Sequence, residues 1–266
     1  MDAIIARVSS AFHKGELSGS SADVSRTPFA TKSDAYRAAM EVLDRSQDSF
    51  QAVLDLGRGL SKSSGAKVVE FASAKEIVKS GNRDTMILIA PPKSEQRAEE
   101  KVRNKYGGDW RRLTDVARAT VLTTMDNMPK VVENLRTELS ERGWKIEPGS
   151  VDDRFSNPLK TGYRDISMLL RSPNGVLAEV QVNTHEMWQA KETDGHRLYE
   201  EWRLIVENPS KTKKDTDRAE ELGAEMVELY DLAYQEMTRT SEKKTGRNRS
   251  VGEDFSPQKA VLRRYP

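Results

Sequence analysis

Residues 163–184 read YRDISMLLRSPNGVLAEVQVNT, and this stretch decides the fold. Two runs of alternating polarity, Tyr163–Arg171 and Val176–Thr184, flank the turn sequence Ser172–Gly175. A proline at the second turn position and a glycine two residues later are typical of a three-residue hairpin loop whose last residue is left-handed. The pattern therefore predicts two antiparallel β-strands joined by a tight hairpin.

That loop length fixes which residues lie opposite each other. The predicted pairs are Ser172 with Val176, Leu169 with Glu179, Ser167 with Gln181, and Asp165 with Asn183. Because paired residues share a face of the sheet, one face becomes polar and carries Tyr163, Asp165, Ser167, Glu179, Gln181 and Asn183. The other face becomes apolar and carries Ile166, Met168, Leu170, Ala178, Val180 and Val182.

The polar face of this hairpin has two interpretations. In many antiparallel sheets such a face is only the side that meets solvent. A two-residue turn would instead bury Glu179 beside Met168 and Leu170, which is costly for an unpaired charge. Acids beside an aromatic ring and an amide, in a chain with enough helices to wall in a cleft, favour a functional site.

The rest of the chain predicts a mixed sheet with helices around it. Apolar runs predict strands at Thr85–Ala90 and Leu113–Thr123. Helical spacing predicts helices near Val68–Lys79 and at Ser94–Lys105, Asn127–Arg142, Met187–Val206 and Thr216–Thr238. Within Met187–Val206, the spacing places on one side Trp188, Leu198, Trp202 and Ile205. The predicted fold class is α+β, a mixed β-sheet flanked by helices with helical additions at both ends.

The predicted organisation has five segments: a flexible leader at 1–32, a helical N-terminal region at 33–84, a core at 85–207, a C-terminal helix at 208–240 and a polar tail at 241–266. With 266 residues, 36% of them hydrophobic, the chain can bury one good core. A formal net charge of +1 argues against a dedicated nucleic-acid coat or a membrane-surface protein.

Composition also limits cofactors and compartment. The chain has no cysteine, which excludes disulfides, a thiolate nucleophile and cysteine zinc sites. The three histidines are too scattered to predict a metal cluster: His13, His185 and His196. Without a signal-peptide core or an apolar stretch of membrane-spanning length, the sequence predicts a cytoplasmic protein with no membrane partner. An effector exported into a target-cell cytoplasm would have the same features.

Two acids carry the predicted chemistry. Asp115 opens the predicted strand Leu113–Thr123, and Glu179 lies in the second strand of the hairpin. If the two carboxylates meet across the sheet, they can hold a Mg²⁺ ion that also binds phosphates. The alternative is that Asp115 forms an ordinary ion pair with Arg111 or Arg112, and the sequence alone favours neither.

A basic stripe precedes the strand that Asp115 opens. Lys93, Arg97 and Lys101 recur every fourth residue and share one side of the helix predicted there. Such a stripe is usually a solvated face, but it also matches the charge of a triphosphate.

In their order and spacing, these residues resemble the synthetase domain of the RelA/SpoT family, the nucleotide pyrophosphokinases that make the alarmones (p)ppGpp. The resemblance covers roughly residues 85–205 and implies the mixed, nucleotidyltransferase-like sheet of that domain. The matching pieces are Lys93 with Ser94 and Lys101, Asp115 in the sequence Leu-Thr-Asp-Val-Ala, Asp153 five residues before Pro158, Gly162 with Tyr163, Glu179-Val180-Gln181, and Ala190 with His196 and Tyr199.

The resemblance implies Mg²⁺-dependent transfer of pyrophosphate from ATP to the 3′-hydroxyl of a nucleotide acceptor. Asp115 and Glu179 would bind the metal, with activation of the acceptor hydroxyl as the alternative role of Glu179, and Tyr163 would stack on the acceptor base. The other implied ATP contacts are Lys93, Ser94, Arg97, Lys101 and Arg118. The other implied acceptor contacts are Lys160, Arg164, Asp165, Gln181, Asn183 and His196.

The chain departs from the family's pattern at several positions. The family usually has glycine and arginine where this chain has Arg118 and Thr120. A lysine, a histidine and an arginine of the family are replaced by Leu159, Ser167 and Asn183. These changes leave the acceptor open, as a guanine nucleotide, an adenine nucleotide or the 3′ end of tRNA.

Two further alternatives follow from the resemblance. Some relatives of this size act as toxins, which would imply a cognate antitoxin or immunity protein as a partner. A hypothesis from another class is a catalytically silent nucleotide-binding or partner-binding module.

Overall fold

The computed structural model describes residues 41, 46–70 and 74–245. The predicted leader at 1–32 and the part of the predicted tail beyond residue 245 lie outside the described residues. The first five residues of that tail, 241–245, belong to the last helix.

The strands form one mixed sheet. In chain order they are β1 (Lys67–Glu70), β2 (Met86–Ile89), β3 (Arg118–Thr123), β4 (Lys145–Ile146), β5 (Asp152–Asp153), β6 (Ile166–Arg171) and β7 (Leu177–Thr184). They lie side by side as β1-β2-β3-β7-β6-β4, and β5 also pairs with β6. The pairs β1–β2 and β3–β7 are parallel, and the other pairs are antiparallel. The predicted α+β class is confirmed.

The helices lie between and after these strands. They are α1 (Ser46–Ser64), α2 (Ala74–Ser80), α3 (Glu95–Tyr106), α4 (Met128–Glu141), α5 (His185–Ala190), α6 (His196–Val206) and α7 (Lys213–Thr245). A π-helical turn, Lys191–Gly195, joins α5 to α6. Among the described residues, no helix is long and apolar enough to cross a membrane.

The predicted hairpin is confirmed in its register. The observed pairs include Ser167 with Gln181 and Leu169 with Glu179. At the turn, the Ser172 N–H donates to the Val176 carbonyl at 2.9 Å, and the Gly175 N–H donates to the Ser172 carbonyl at 2.9 Å. Gly175 has a φ of 79°, which is the left-handed conformation that the turn sequence predicts.

Gly175→Ala is expected to lower the free energy of unfolding by about 1–2 kcal/mol, because a non-glycine residue strains a left-handed backbone. A Cβ at this position would meet no atom within 4 Å, so the loss would come from the backbone alone. Urea unfolding measures it. Asn174→Ala, at the neighbouring exposed loop position, is the control and should change stability by less than about 0.5 kcal/mol. Equal stability of the two variants would contradict the left-handed turn.

The apolar face of the sheet carries the main core. All the hairpin residues predicted for this face are buried: Ile166, Met168, Leu170, Ala178, Val180 and Val182. Helices α1 and α4 cover them, through buried residues such as Val53, Leu60 and Leu135. Since burying a Leu-sized side chain contributes about 1.5–3 kcal/mol, this face anchors the sheet.

The opposite face is apolar at one end and polar further along. Met86 and Leu122 pack with Ile77 of α2 and Trp188 of α5. Beyond them, register places on this face Arg118, Thr120, Ser167, Glu179 and Gln181. We call this second area the polar face, and it contains the candidate site.

Three predicted elements are wrong at their ends or in kind. Residues 113–117 are not strand, because β2 ends at Ile89, which pairs with Ala119, so β3 begins only at Arg118. Likewise β6 begins at Ile166 rather than at Tyr163. Val68 lies in β1, not in a helix, because pairing with β2 overrides the local helical spacing.

The single helix predicted at Met187–Val206 is interrupted by the π-helical turn. A π turn adds a residue and so rotates the following helix relative to the preceding one. Trp188 therefore packs against Leu122. Leu198, Trp202 and Ile205 instead pack in one cluster with Tyr230 of α7, so the predicted common side holds for these three residues and is wrong for Trp188.

Candidate active site

Glu179 lies on the polar face, near the start of β7. Its Oε1 accepts hydrogen bonds from the Ser167 hydroxyl at 3.3 Å and from the Gln181 amide at 2.8 Å. The residue is half-buried. Two neighbouring side chains on the predicted polar face thus hold the carboxylate in place.

Asp115 lies three residues before β3, in the segment that joins α3 to the sheet. Its Oδ2 lies 2.8 Å from Lys93 Nζ and 2.7 Å from Lys101 Nζ. The sequence offered a metal role or an ion pair with Arg111 or Arg112. The observed partners are two lysines of the basic stripe, so the acid and the stripe form one charged cluster.

This cluster shifts the pKa values of Asp115 and Lys101. Burial alone would raise the pKa of the Asp115 carboxyl, but hydrogen bonds and charge from Lys101 and Lys93 outweigh it and hold that pKa below its ordinary value. Burial acts against the charge of Lys101 as well, and the bond to Asp115 still keeps the Lys101 pKa above its ordinary value. The Asp115 carboxylate and the Lys101 ammonium are therefore both charged at neutral pH.

The two acids lie at the same end of two neighbouring strands. Arg118, the first residue of β3, pairs with Glu179 in the parallel register. The Glu179 N–H donates to the carbonyl of Ala117 at 3.0 Å, and Asp115 precedes Ala117 by two residues. The chain thus brings both carboxylate-bearing segments together at the beginning of β3 and β7.

Other basic residues surround this end of the sheet. Arg118 is exposed and shares the polar face with Glu179. Arg97 is exposed on the first turn of α3, and Ser94 caps that helix by accepting a hydrogen bond from the Arg97 N–H at 3.4 Å. The first turn of α3 and its cap therefore lie beside Lys93, with the positive end of the helix dipole.

The acids can be tested for their fit to a divalent cation. Asp115 Oδ1 is buried and has no hydrogen-bond partner among the described residues. Within those residues no group of three or more acidic or histidine side chains could hold a metal by itself. Mg²⁺ in phosphate-binding sites usually takes only one or two carboxylates and completes its shell with phosphates and water. An unpaired carboxylate oxygen and a second nearby acid fit that pattern.

A known protein family matches the stretch of chain that contains these residues. Residues 92–203 match the family described as "Region found in RelA / SpoT proteins". We call this matched stretch, residues 92–203, the RelA/SpoT region. It contains every residue proposed above from the sequence, from Lys93 to His196.

One curated relative of the RelA/SpoT region is the (p)ppApp synthetase toxin Tas1 of Pseudomonas aeruginosa, strain UCBPP-PA14. It is 31% identical over 144 residues, which cover 45% of this chain and 31% of that protein. The chain therefore spans about a third of the length of this relative.

Solved structures show the same fold. The type VI effector Tas1, in complex with its immunity protein, matches with a TM-score of 0.50 and 21% identity over 75% of this chain and 97% of that one. Small alarmone synthetase 1 of Bacillus subtilis matches with a TM-score of 0.52 and 15% identity, over 77% of this chain and 96% of that one. At these identities the likeness shows the fold alone.

On the acceptor side of the RelA/SpoT region, the predicted contact residues bond to one another. The Tyr163 hydroxyl donates to Asp165 Oδ2 at 3.0 Å and accepts from the Asn183 amide at 3.0 Å. Arg154 donates to Asp165 Oδ1 at 2.6 Å. Asp165 and Asn183 are fully buried. These residues form a chain of hydrogen bonds, called here the buried network, beneath the site.

The ring of Tyr163 is also covered. It is 8% exposed and meets Tyr230 of α7 edge to face, with ring centroids 5.2 Å apart. Burial first, and then the charge of Asp165, raise the pKa of the Tyr163 hydroxyl well above its ordinary value. The Lys191 ammonium lies 5.9 Å from the centroid of the same ring. The ring is therefore covered in this conformation, and stacking on a base stays a prediction.

The remaining predicted acceptor residues are dispersed. Lys160 and His196 are exposed, the first in a loop and the second at the start of α6. The Arg164 guanidinium lies 4.1 Å from the centroid of the Tyr234 ring and donates to the Phe155 carbonyl. The structure therefore directs Arg164 toward α7.

Sequence reasoning missed Arg154. A signal existed, since a buried acid needs a cation, and Asp165 was predicted on the same face as Glu179. Arg154 directly follows β5, which is only two residues long. So short a strand has no recognisable alternation.

Proposed function

We propose that this chain is an ATP-dependent nucleotide pyrophosphokinase. The observation that supports it most is the charged cluster of Lys93, Lys101 and Asp115 beside the strand that carries Glu179, inside a RelA/SpoT region. Two ammonium groups attract the negative charge of a triphosphate. The carboxylate of Glu179, held in place on the neighbouring strand, suits an acid–base role.

In the proposed reaction, the acceptor 3′-hydroxyl oxygen bonds to the β-phosphorus of ATP. The bond from that phosphorus to the oxygen bridging the α- and β-phosphates breaks, and AMP leaves with the bridging oxygen. In its role as base, Glu179 accepts the hydroxyl proton. Lys93, Lys101 and Arg118 hold the phosphates in line, so most of the rate enhancement comes from positioning and charge stabilisation.

We assign the divalent cation, taken as Mg²⁺, to Asp115, and Glu179 is its second protein ligand in the alternative to its role as base. The buried, unpaired Oδ1 of Asp115 supports this assignment. The bound ion would supply charge neutralisation for the phosphates of ATP. Glu179 serves either as this ligand or as the base.

The acceptor that we propose first is an adenine nucleotide, and the role is that of a growth-inhibiting effector. The relative named a (p)ppApp synthetase toxin, 31% identical over the aligned residues, supports both. The structure of the effector Tas1 bound to its immunity protein supports a cognate immunity protein as a partner. None of these relatives is named for tRNA.

Incubation of the purified chain with ATP labelled at the β-position, Mg²⁺ and each of AMP, ADP, ATP, GDP and GTP tests the function. Label should appear in a product that carries pyrophosphate on its acceptor, together with AMP. Transfer to guanine nucleotides alone would overturn the adenine assignment. The absence of labelled product with every acceptor, including tRNA, would favour a silent nucleotide-binding module.

A further inference from the structure

The carboxylate of Asp115 is shared by two lysines that come from different parts of the chain. Lys93 lies between β2 and α3, and Lys101 lies in the middle of α3. Both ammonium groups reach the same oxygen, Oδ2, at 2.8 and 2.7 Å. All three side chains are largely shielded, with exposed fractions of 20% for Lys93, 26% for Lys101 and 12% for Asp115.

The other oxygen of Asp115 has no such partner among the described residues. Oδ1 is buried and accepts no hydrogen bond there. An ionised carboxylate has about four acceptor positions, and a buried acceptor without a donor is unfavourable. One carboxylate oxygen of Asp115 therefore bonds to two ammonium groups, and the other accepts no hydrogen bond from the described residues.

The charge of the cluster favours one kind of ligand over another. Two ammonium groups and one carboxylate give a local net charge of +1, which repels a divalent cation. The beginning of α3, capped by Ser94, adds the positive end of its dipole next to Lys93. A triphosphate is attracted to such a cluster, and it would engage the ammonium groups now bonded to Asp115.

We propose that Asp115 makes cation binding conditional on the triphosphate, which is an inference that rests on the proposed function. In the nucleotide-free chain, Asp115 competes with the triphosphate for Lys93 and Lys101, and the lysines compete with the cation for Asp115. When a triphosphate takes the lysines, the Asp115 carboxylate becomes available to the cation. Because such coupling is reciprocal, each ligand raises the affinity for the other by the same factor.

Asp115→Asn tests the first competition in the absence of metal. A non-hydrolysable ATP analogue and inorganic tripolyphosphate are titrated by calorimetry in excess EDTA. The variant is expected to bind both probes about tenfold more tightly than the wild type, because its lysines are no longer held by a carboxylate. If Asp115 contacted the triphosphate only through a metal ion, Asp115→Asn would not change the affinity for either probe in EDTA.

Glu99→Gln is the matched control for that titration. Glu99 is exposed on α3 and lies between Lys93 and Lys101 in sequence, so the change removes one negative charge near the same lysines. A solvated charge is largely screened, so the affinity should change less than about twofold. If Glu99→Gln and Asp115→Asn gained the same affinity for the probes, the gain would come from net charge alone. That result would overturn the proposal.

The second competition is measured with Mn²⁺ alone, by the loss of its free electron paramagnetic resonance signal. Wild-type protein without nucleotide should bind little Mn²⁺. The double variant Lys93→Met, Lys101→Met should bind it at least about tenfold more tightly, and adding Asp115→Asn should remove that gain. Failure of the double variant to gain affinity would overturn the proposal even if Asp115→Asn failed to fold.

The outcomes separate this inference from the function on which it rests. Weaker triphosphate binding by Asp115→Asn would mean that Asp115 organises the lysines rather than competing for the ligand. If the wild type binds the probes and Asp115→Asn binds them equally, only this inference is overturned. If no variant binds either probe, the proposed function is overturned as well.

Discussion

Glu179→Gln is expected to lower the rate of pyrophosphate transfer by about 10²–10⁴-fold while leaving the fold intact. The amide is nearly the same size as the carboxylate and can keep the bonds with Ser167 and Gln181, but it can neither accept a proton nor carry charge to a cation. Turnover of labelled ATP measures the loss. Thermal unfolding measures whether the variant stays folded.

Glu147→Gln is the matched control for this variant. Glu147 is also a shielded acid beside β6, but it bonds to Arg171 at the far end of the strand from Ser167. Its loss should cost some stability and leave turnover within about threefold of wild type. If Glu179→Gln retained full activity, Glu179 would have no catalytic role, and the reaction would need another base.

Expression in bacterial cells extends the same comparison to the effector role. Wild-type protein should arrest growth, and Glu179→Gln should relieve the arrest. Arrest by both forms would point to a toxic effect that does not depend on the chemistry.

Arg154→Met is expected to lower the free energy of unfolding by about 3–5 kcal/mol, because it leaves the Asp165 carboxylate buried without its cation. Asp165 is fully buried, and its carboxylate bonds to Arg154 and Tyr163 of the buried network. Urea unfolding measures the loss. Arg171→Met, which breaks a pair whose arginine is 43% exposed, should cost less than about 1 kcal/mol.

The loss should depend on pH in a defined direction. In the wild type, burial already raises the pKa of Asp165 above its ordinary value, and Arg154 opposes that rise only in part. A folded-state pKa above the unfolded one means that stability falls as the pH rises through the interval between them. Removing Arg154 widens that interval, so the deficit should be larger at about pH 8 than at about pH 5.

The double variant Arg154→Met, Asp165→Asn separates charge from packing. It should recover most of the stability, since no charge remains buried. A double variant as unstable as the single one, with no pH dependence, would attribute the loss to the missing arginine stem instead.

The sequence predicted the hairpin well because its determinants are local. A proline, a glycine and a largely alternating pattern are enough to fix the register between Leu169 and Glu179, and with it the two faces. The cluster around Asp115 was only half predicted. Both lysines and the acid were identified, but nothing in a sequence spacing shows that Lys93 and Lys101 meet one carboxylate oxygen.

The acceptor side could not be predicted from the hairpin. Its alternation placed Tyr163 and Asn183 on the polar face, but it does not show what packs over them. The cover is Tyr230, on a helix more than forty residues later. Tyr230 fits there because Gly195 has no side chain, since a Cβ on that glycine would lie 2.2 Å from the Tyr230 hydroxyl.

The position of β2 has a consequence for where this protein can be cut. The family match begins at residue 92, and β2 ends at Ile89. An excised piece of residues 92–203 would lose the antiparallel neighbour of β3 and the helix α1 that covers it. It would then expose β3 as an unpaired, hydrophobic edge strand, which favours edge-to-edge association of chains. The recognisable stretch and the autonomous folding unit are therefore two different lengths of chain.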